Sequence, residues 1–407
     1  MVESASWEPR YASRAARMKA SEIRELLKLL DQPDIISFAG GIPDPALFPA
    51  EAARTAYADC LGSQELAGQA LQYSTSEGYL PLREWIVDYM GKLGVPCEPD
   101  NILITSGSQQ ALEFLGKLLL SPGDTVLVPA PTYLGALQAF SAYEPQYDTL
   151  RPEDGNRTAA AYRETAAATG QVKMAYVVPD FDNPSGNTMS LGARERMLAL
   201  ATELDIPIIE DAAYAALRFS GEPMPCLQAL ELARCGSIDK CRVIYCGTFS
   251  KTIAPGLRVG WICAAQLVIR RLVLIKQASD LHSSSLNQIV MHRLVTQTFD
   301  DQVEKARARY SKRRDAMLAA LARHMPPGVT WTKPEGGLFV WVTLPEGMDG
   351  AELLKRAVEK ERVAFVPGGA FFADGAGANT LRLSFSLADD VKIEEGIMRL
   401  GRLIRGS

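Results

Sequence analysis

Ile206-Pro207-Ile208-Ile209-Glu210-Asp211, with Tyr214 three residues on, and Arg242-Val243-Ile244-Tyr245-Cys246-Gly247-Thr248-Phe249-Ser250-Lys251, with Arg258 seven residues on, decide how this chain folds. Short apolar runs of this length, closed by polar residues, read as strands buried on both faces. One run ends in the acidic pair Glu210-Asp211 and the other at Ser250-Lys251. Two strand ends therefore bring a carboxylate and an amine to one edge of a sheet, the edge at which open α/β architectures bind ligands.

That pairing suits an aldehyde cofactor, pyridoxal phosphate (PLP). A lysine amine forms a Schiff base with an aldehyde once its pKa is low enough for attack near neutral pH, and Lys251 is the candidate. A carboxylate at the pyridine nitrogen keeps that nitrogen protonated, so the ring accepts the electrons released at the substrate Cα; Asp211 is placed for this. Tyr214 would meet the ring's phenolate oxygen, Arg258 would hold the phosphate with a bidentate fork, and Ser250 joins the cofactor-binding set. Gly247 to Thr252 superficially resembles a nucleotide phosphate loop, but that loop needs Gly directly before its Lys, and Ser250 stands there.

With Asp182-Asn183-Pro184-Ser185-Gly186 upstream, these spacings resemble the fold-type I PLP-dependent aminotransferases of class I and II, over nearly the whole chain and closest to the 2-aminoadipate/kynurenine branch. The resemblance implies an α/β fold with a mainly parallel central sheet flanked by helices and a smaller α+β C-terminal domain. The expected division is an N-terminal helix and active-site segment over 1–48, a large cofactor-binding domain over 49–290 and a small domain over 291–407.

Further site residues follow along the chain. Ala20 to Leu30 reads as an amphipathic helix capped by Ser21; its blandest role is docking, and in the resembling branch an Arg at the position of Arg24 reaches a substrate side-chain carboxylate. Next, Phe38-Ala39-Gly40-Gly41-Ile42-Pro43 is expected to cross the site mouth, with Gly41 at the substrate. Tyr73 matches a Tyr that reaches the cofactor phosphate of the neighbouring subunit and contributes to the substrate site, which implies a homodimer with shared sites. The turn Ser106-Gly107-Ser108-Gln109 opens a helix whose N-terminus offers unpaired N–H groups and a positive dipole end, so Ser108 and Gln109 are phosphate donors. Tyr133 falls where the family covers the pyridine face with an aromatic ring. Asn183 would donate to the phenolate oxygen and border the substrate, whereas Asp182 would bond only its own turn.

Towards the C-terminus, a basic helix from about Phe299 to His324 reads as a solvated, charge-alternating face. Arg382 lies within the apolar strand Leu381 to Phe385, where an unpaired charge is costly; the family assigns such an Arg to the substrate α-carboxylate. Pro367 to Phe372 reads as a mobile loop near the mouth.

Composition bounds the rest. A net charge of −5 argues against a broad nucleic-acid surface. No apolar run approaches the ~20 residues of a membrane span, and 1–17 lacks the apolar core of a signal peptide, so a cytoplasmic location without membrane partners is expected. Seven cysteines without a CxxC pair read as structural thiols, and three histidines without HExxH give no metal site. The expected activity is transfer of the amino group of an L-amino acid, of 2-aminoadipate, aromatic or branched-chain type, to a 2-oxo acid, 2-oxoglutarate first. A PLP-dependent lyase or decarboxylase on the same fold is the alternative. A PLP-sensing transcription regulator is more distant, because the segment before Ser37 is too short for a helix-turn-helix domain.

Overall fold

The computed structural model describes residues 7–17 and 34–406. The expected helix Ala20 to Leu30, and Arg24 with it, lies outside the described residues. Seven strands form the large sheet: β1 (Ile102–Thr105), β2 (Thr125–Pro129), β3 (Gln146–Leu150), β4 (Val172–Val177), β5 (Ile208–Asp211), β6 (Val243–Thr248) and β7 (Gly260–Cys263). Their spatial order is β1-β7-β6-β5-β4-β2-β3.

Strands β3, β2, β4, β5 and β6 are mutually parallel. β7 pairs antiparallel with both β6 and β1, so β7 alone runs against the rest. The carboxyl ends of β1, β2, β4, β5 and β6 therefore share one edge with the amino end of β7. β5 and β6 are buried at every position, as expected of parallel strands covered by helices on both faces.

A four-stranded antiparallel sheet forms the smaller unit, from β8 (Thr330–Trp331), β9 (Phe339–Thr343), β10 (Val366–Pro367) and β11 (Thr380–Ser384), in the order β10-β11-β9-β8. Arg382 on β11 stands opposite Trp341 and Val366. Ile36–Ser37 pairs in parallel with Val363–Ala364, which fixes the chain to the small unit just before it crosses towards Gly41. One hydrophobic cluster runs from Leu103 and Tyr176 of the large sheet to Leu381 and Leu383 of the small one.

The basic helix is longer and less solvated than its charge pattern suggests. It spans Ser285–His324 without a break, so the expected boundary at 290/291 falls inside it. Arg313 is buried: it bonds the Ser386 carbonyl and, at 2.9 Å, Asp44 Oδ2, which Arg309 also meets at 2.9 Å. Asp44 N in turn donates to Tyr310 Oη at 3.0 Å. One face of this helix thus anchors the N-terminal crossing segment, a long-range contact that charge alternation alone does not reveal. Among the described residues no helix is long and apolar enough to cross a membrane, and no cluster of three or more His, Cys, Asp or Glu side chains could hold a metal ion. The seven cysteines are free.

Candidate active site

Where those strand ends meet, Ser108, Gln109, Tyr133, Asn183, Asp211, Tyr214, Ser250, Lys251 and Arg258 line one cleft of about 150 Å³ that opens to solvent. They arrive from five connections, those after β1, β2, β4 and β5 and the one between β6 and β7. Asp211 is the last residue of β5, while Ser250 and Lys251 follow β6 directly. Ser108 starts the helix Ser108–Leu119 after β1, and Arg258 precedes β7. Val178, Ala213, Thr248 and Pro255 complete the wall.

The amine end is built around Lys251. Its Nζ donates to the Gly41 carbonyl at 3.0 Å and lies 5.6 Å from the Tyr214 ring centroid. Burial, then the positive charges of Arg382 and Arg258, push the amine down to about 8, against the opposing pull of Asp211. Gly41 is required where it stands, because a Cβ there would overlap the Phe339 ring.

At the carboxylate end, Asp211 Oδ2 accepts from Tyr176 Oη at 2.9 Å, and Oδ1 is buried without a hydrogen-bond partner. Burial lifts this carboxyl to about 6; the Tyr176 hydrogen bond, the Ala213 N–H and Lys251 oppose the rise. A buried acceptor left open is costly unless a donor arrives, so Oδ1 fits a protonated ring nitrogen.

The third corner is an anion cradle. Gly107, at φ 81°, turns the chain into the Ser108 helix, and a Cβ on it would overlap the Arg258 guanidinium. Arg258 itself takes a left-handed backbone, with φ 54°, and donates to the Ser106 and Pro255 carbonyls at 3.2 and 3.3 Å. Helix N–H groups, the dipole and a guanidinium converge here, as an anion requires. Beneath the turn, Lys276 is fully buried and donates to Gln110 Oε1, Asp280 and Ser283 Oγ at 2.9–3.1 Å. Gln110 Oε1 also accepts from Ser106 N at 2.9 Å, so this buried network holds the cradle in shape. Lys276 looked like one more polar helix residue, and nothing local marked it out.

Arg382 is buried between two aromatic rings, 4.2 Å from the Phe339 centroid and 5.1 Å from that of Phe371. NH1 donates to Asn183 Oδ1 at 2.7 Å and NH2 to the Ala39 carbonyl at 2.8 Å, while Nε is buried without a partner. Burial lowers this guanidinium to about 10. Asn183 also points Nδ2 at Tyr214 Oη, 3.5 Å away, and so links the substrate side of the cleft to the Tyr214 hydroxyl. Tyr133 Oη reaches Gln109 Oε1 at 3.5 Å, and Gln109 Nε2 is tied to the Gly135 carbonyl at 2.7 Å. As expected, Asp182 accepts from the N–H and hydroxyl of Ser185 in its own turn.

One expectation meets a different outcome. Gly368–Phe371 is a tight turn with Phe371 buried, its ring against Trp341 and Arg382 and its carbonyl accepting from Thr132 N at 2.8 Å; the glycines suggested freedom, but the buried aromatic pins the segment. Tyr73 is outside the cleft of its own chain, 79% exposed, with its ring edge-on to His282 at 6.1 Å.

The family model for aminotransferase class I and II matches residues 33–400. Aromatic-amino-acid aminotransferase 1 from Thermococcus litoralis is 44% identical over 405 residues, 98% of this chain and 95% of that one. The 2-aminoadipate transaminase of Thermus thermophilus is 43% identical over 98% of each chain. The crystal structure of the Thermus thermophilus α-aminoadipate aminotransferase LysN, complexed with N-(5'-phosphopyridoxyl)-L-leucine, superposes with a TM-score of 0.88 at 42% identity, covering 99% of both chains.

Proposed function

The chain belongs to the class I and II aminotransferases, and from that premise we propose how its residues divide the work of a PLP-dependent transaminase and which substrates it takes. The observation that carries the reading is the pairing, in one cleft, of an amine lowered to about 8 with a buried carboxylate oxygen that has no partner.

Ser108, Gln109, Ser250 and Arg258 would hold the cofactor phosphate, Tyr133 would cover one ring face, and Asn183 and Tyr214 would meet the phenolate oxygen. Bound there, pyridoxal phosphate supplies an aldehyde for the amine and a ring that takes up the electron pair left when the substrate Cα–H bond breaks. Asp211 would hold a proton at the ring nitrogen through Oδ1, the oxygen left without a partner. The Nζ of Lys251 takes the proton from the substrate Cα, its low pKa leaving a useful neutral fraction near pH 7. Arg382 orients the substrate through its α-carboxylate: Nε has no partner, and NH1 and NH2 make one bond each and keep a second N–H for an incoming anion. Phe339 and Phe371 keep water from the guanidinium and strengthen that contact.

The donors proposed are L-amino acids of the 2-aminoadipate, aromatic and branched-chain types, and the acceptor is a 2-oxo acid, 2-oxoglutarate first. The relatives named for aromatic amino acids and for 2-aminoadipate, at 44% and 43% identity, support the donor set. Arg24 is proposed to read a side-chain carboxylate. A homodimer with shared sites, in which Tyr73 reaches the partner's cofactor, agrees with the exposure of Tyr73 and of its neighbour Leu71, 72% exposed. The three-part division at 48/49 and 290/291 and a cytoplasmic location belong to the same proposal.

The test is a single-turnover half-reaction on PLP-loaded protein, followed by loss of the visible absorbance of the lysine-bound cofactor, with L-2-aminoadipate and separately with L-leucine. Conversion by both supports the mixed donor set, and a large excess of aminoadipate over leucine that Arg24→Ala abolishes assigns Arg24. Failure of both donors rejects the proposed set.

A further inference from the structure

Tyr176 sits on β4 opposite Ile209 of β5. Side chains two apart on a strand share a face, so Ile209, Asp211 and Tyr176 project to the same side of the sheet, and a long side chain spans the diagonal from Tyr176 to Asp211. The Tyr176 hydroxyl uses that reach: it donates to Asp211 Oδ2 at 2.9 Å. Its ring is fully buried and edge-on to Phe140 at 5.9 Å, so the hydroxyl has a fixed aim. Asp211 therefore meets the cleft with one oxygen engaged from behind and the other, Oδ1, open.

A carboxylate and a pyridine nitrogen compete for one proton. With the Tyr176 hydrogen bond in place, burial still holds the Asp211 carboxyl at about 6; without that bond it would rise further towards the ring nitrogen's own range and let the proton reside on oxygen. A hydrogen bond donated to the ionised form counters that rise, and inside a protein it is stronger than in water.

We propose that Tyr176 is a positioning residue for the cofactor ring, occupying Asp211 Oδ2 so that the carboxylate stays ionised, offers Oδ1 alone, and leaves the shared proton on the ring nitrogen. The inference rests on PLP occupying this cleft. Tyr176 touches neither substrate nor cofactor. It acts through Asp211, and what it sets is the electron demand of the ring, not the binding of the amino acid.

The test uses holoenzyme loaded with PLP carrying ¹⁵N in the ring. In Tyr176→Phe, which keeps the buried ring, the ¹⁵N resonance is expected to move from the pyridinium towards the neutral pyridine position. The half-reaction rate is expected to fall about 10- to 100-fold, the range for losing a hydrogen bond to an ionised group, with substrate KM little changed. If that variant fails to fold, 3,5-difluorotyrosine at position 176 makes the same hydroxyl a stronger donor. The ¹⁵N resonance should then stay at, or move further towards, the pyridinium end, and movement towards neutral pyridine would overturn the proposal. A resonance in Tyr176→Phe identical to wild type overturns it while leaving the PLP reading intact. Wild-type protein that takes up no labelled PLP removes both.

Discussion

Lys251 should capture PLP with the pH profile of an amine titrating near 8. The structure lowers the amine from 10.5 to about 8, chiefly through burial and then through the charges of Arg382 and Arg258. That lowering corresponds to roughly 3 kcal/mol between the two protonation states. Only the neutral amine attacks an aldehyde. At pH 7 the neutral fraction is about 9% for a pKa near 8, against about 0.03% for an ordinary lysine, a gain of about 300-fold. Mixing apoprotein with PLP in a stopped-flow instrument at a series of pH values reads this directly, from the rise of visible absorbance. The rate constant should climb about tenfold per pH unit up to about pH 8 and then level. Arg382→Gln removes the second-largest cause, so its midpoint should lie above the wild-type one. A wild-type rate that keeps climbing past pH 10 would refute the burial argument, and an unmoved midpoint in Arg382→Gln would remove Arg382 from it.

Three substitutions probe separate parts of the architecture. Arg382→Lys keeps the charge but loses the fork and the open Nε donor; KM for the amino acid should rise about 10- to 100-fold, while the capture of PLP in an absorbance titration changes little. Gly107→Ala puts a Cβ against the Arg258 guanidinium at a backbone position with φ 81° and ψ 166°, a region essentially restricted to glycine that costs other residues about 1–3 kcal/mol; PLP affinity should weaken at least tenfold in the same titration. Asp44→Ala leaves the buried Arg313 without its carboxylate, and urea denaturation should show a loss of about 3–5 kcal/mol, as for other broken buried pairs.

The two runs ending at Asp211 and Lys251 were legible because strands buried on both faces carry an unbroken apolar signature, and the polar residue that closes each run marks the sheet edge. The cradle was legible only through the resemblance, because a small-residue turn between a strand and a helix is by itself most often a simple cap. Tyr176 was hidden, since a tyrosine inside an apolar strand looks like core until the register of β4 against β5 is known, and that register pairs residues 33 positions apart, such as Tyr176 with Ile209. Arg313 and Lys276 were hidden likewise. Each is a cation on an amphipathic helix, and which cations face inward depends on acceptors at Asp44 and Gln110 that lie far away in sequence. The segment ending at Phe371 was misjudged because glycine content reports what a backbone can do, whereas the burial of one aromatic ring decides what it does.

Borohydride reduction of the PLP-loaded protein, followed by peptide mass spectrometry, asks which amine carries the cofactor. The wild type should show the phosphopyridoxyl mass on the peptide containing Lys251, and Lys251→Ala should show neither that adduct nor more than a trace of turnover. An adduct on another lysine in the wild type, or normal turnover by Lys251→Ala, would contradict the assignment of Lys251 as the residue around which the site is built.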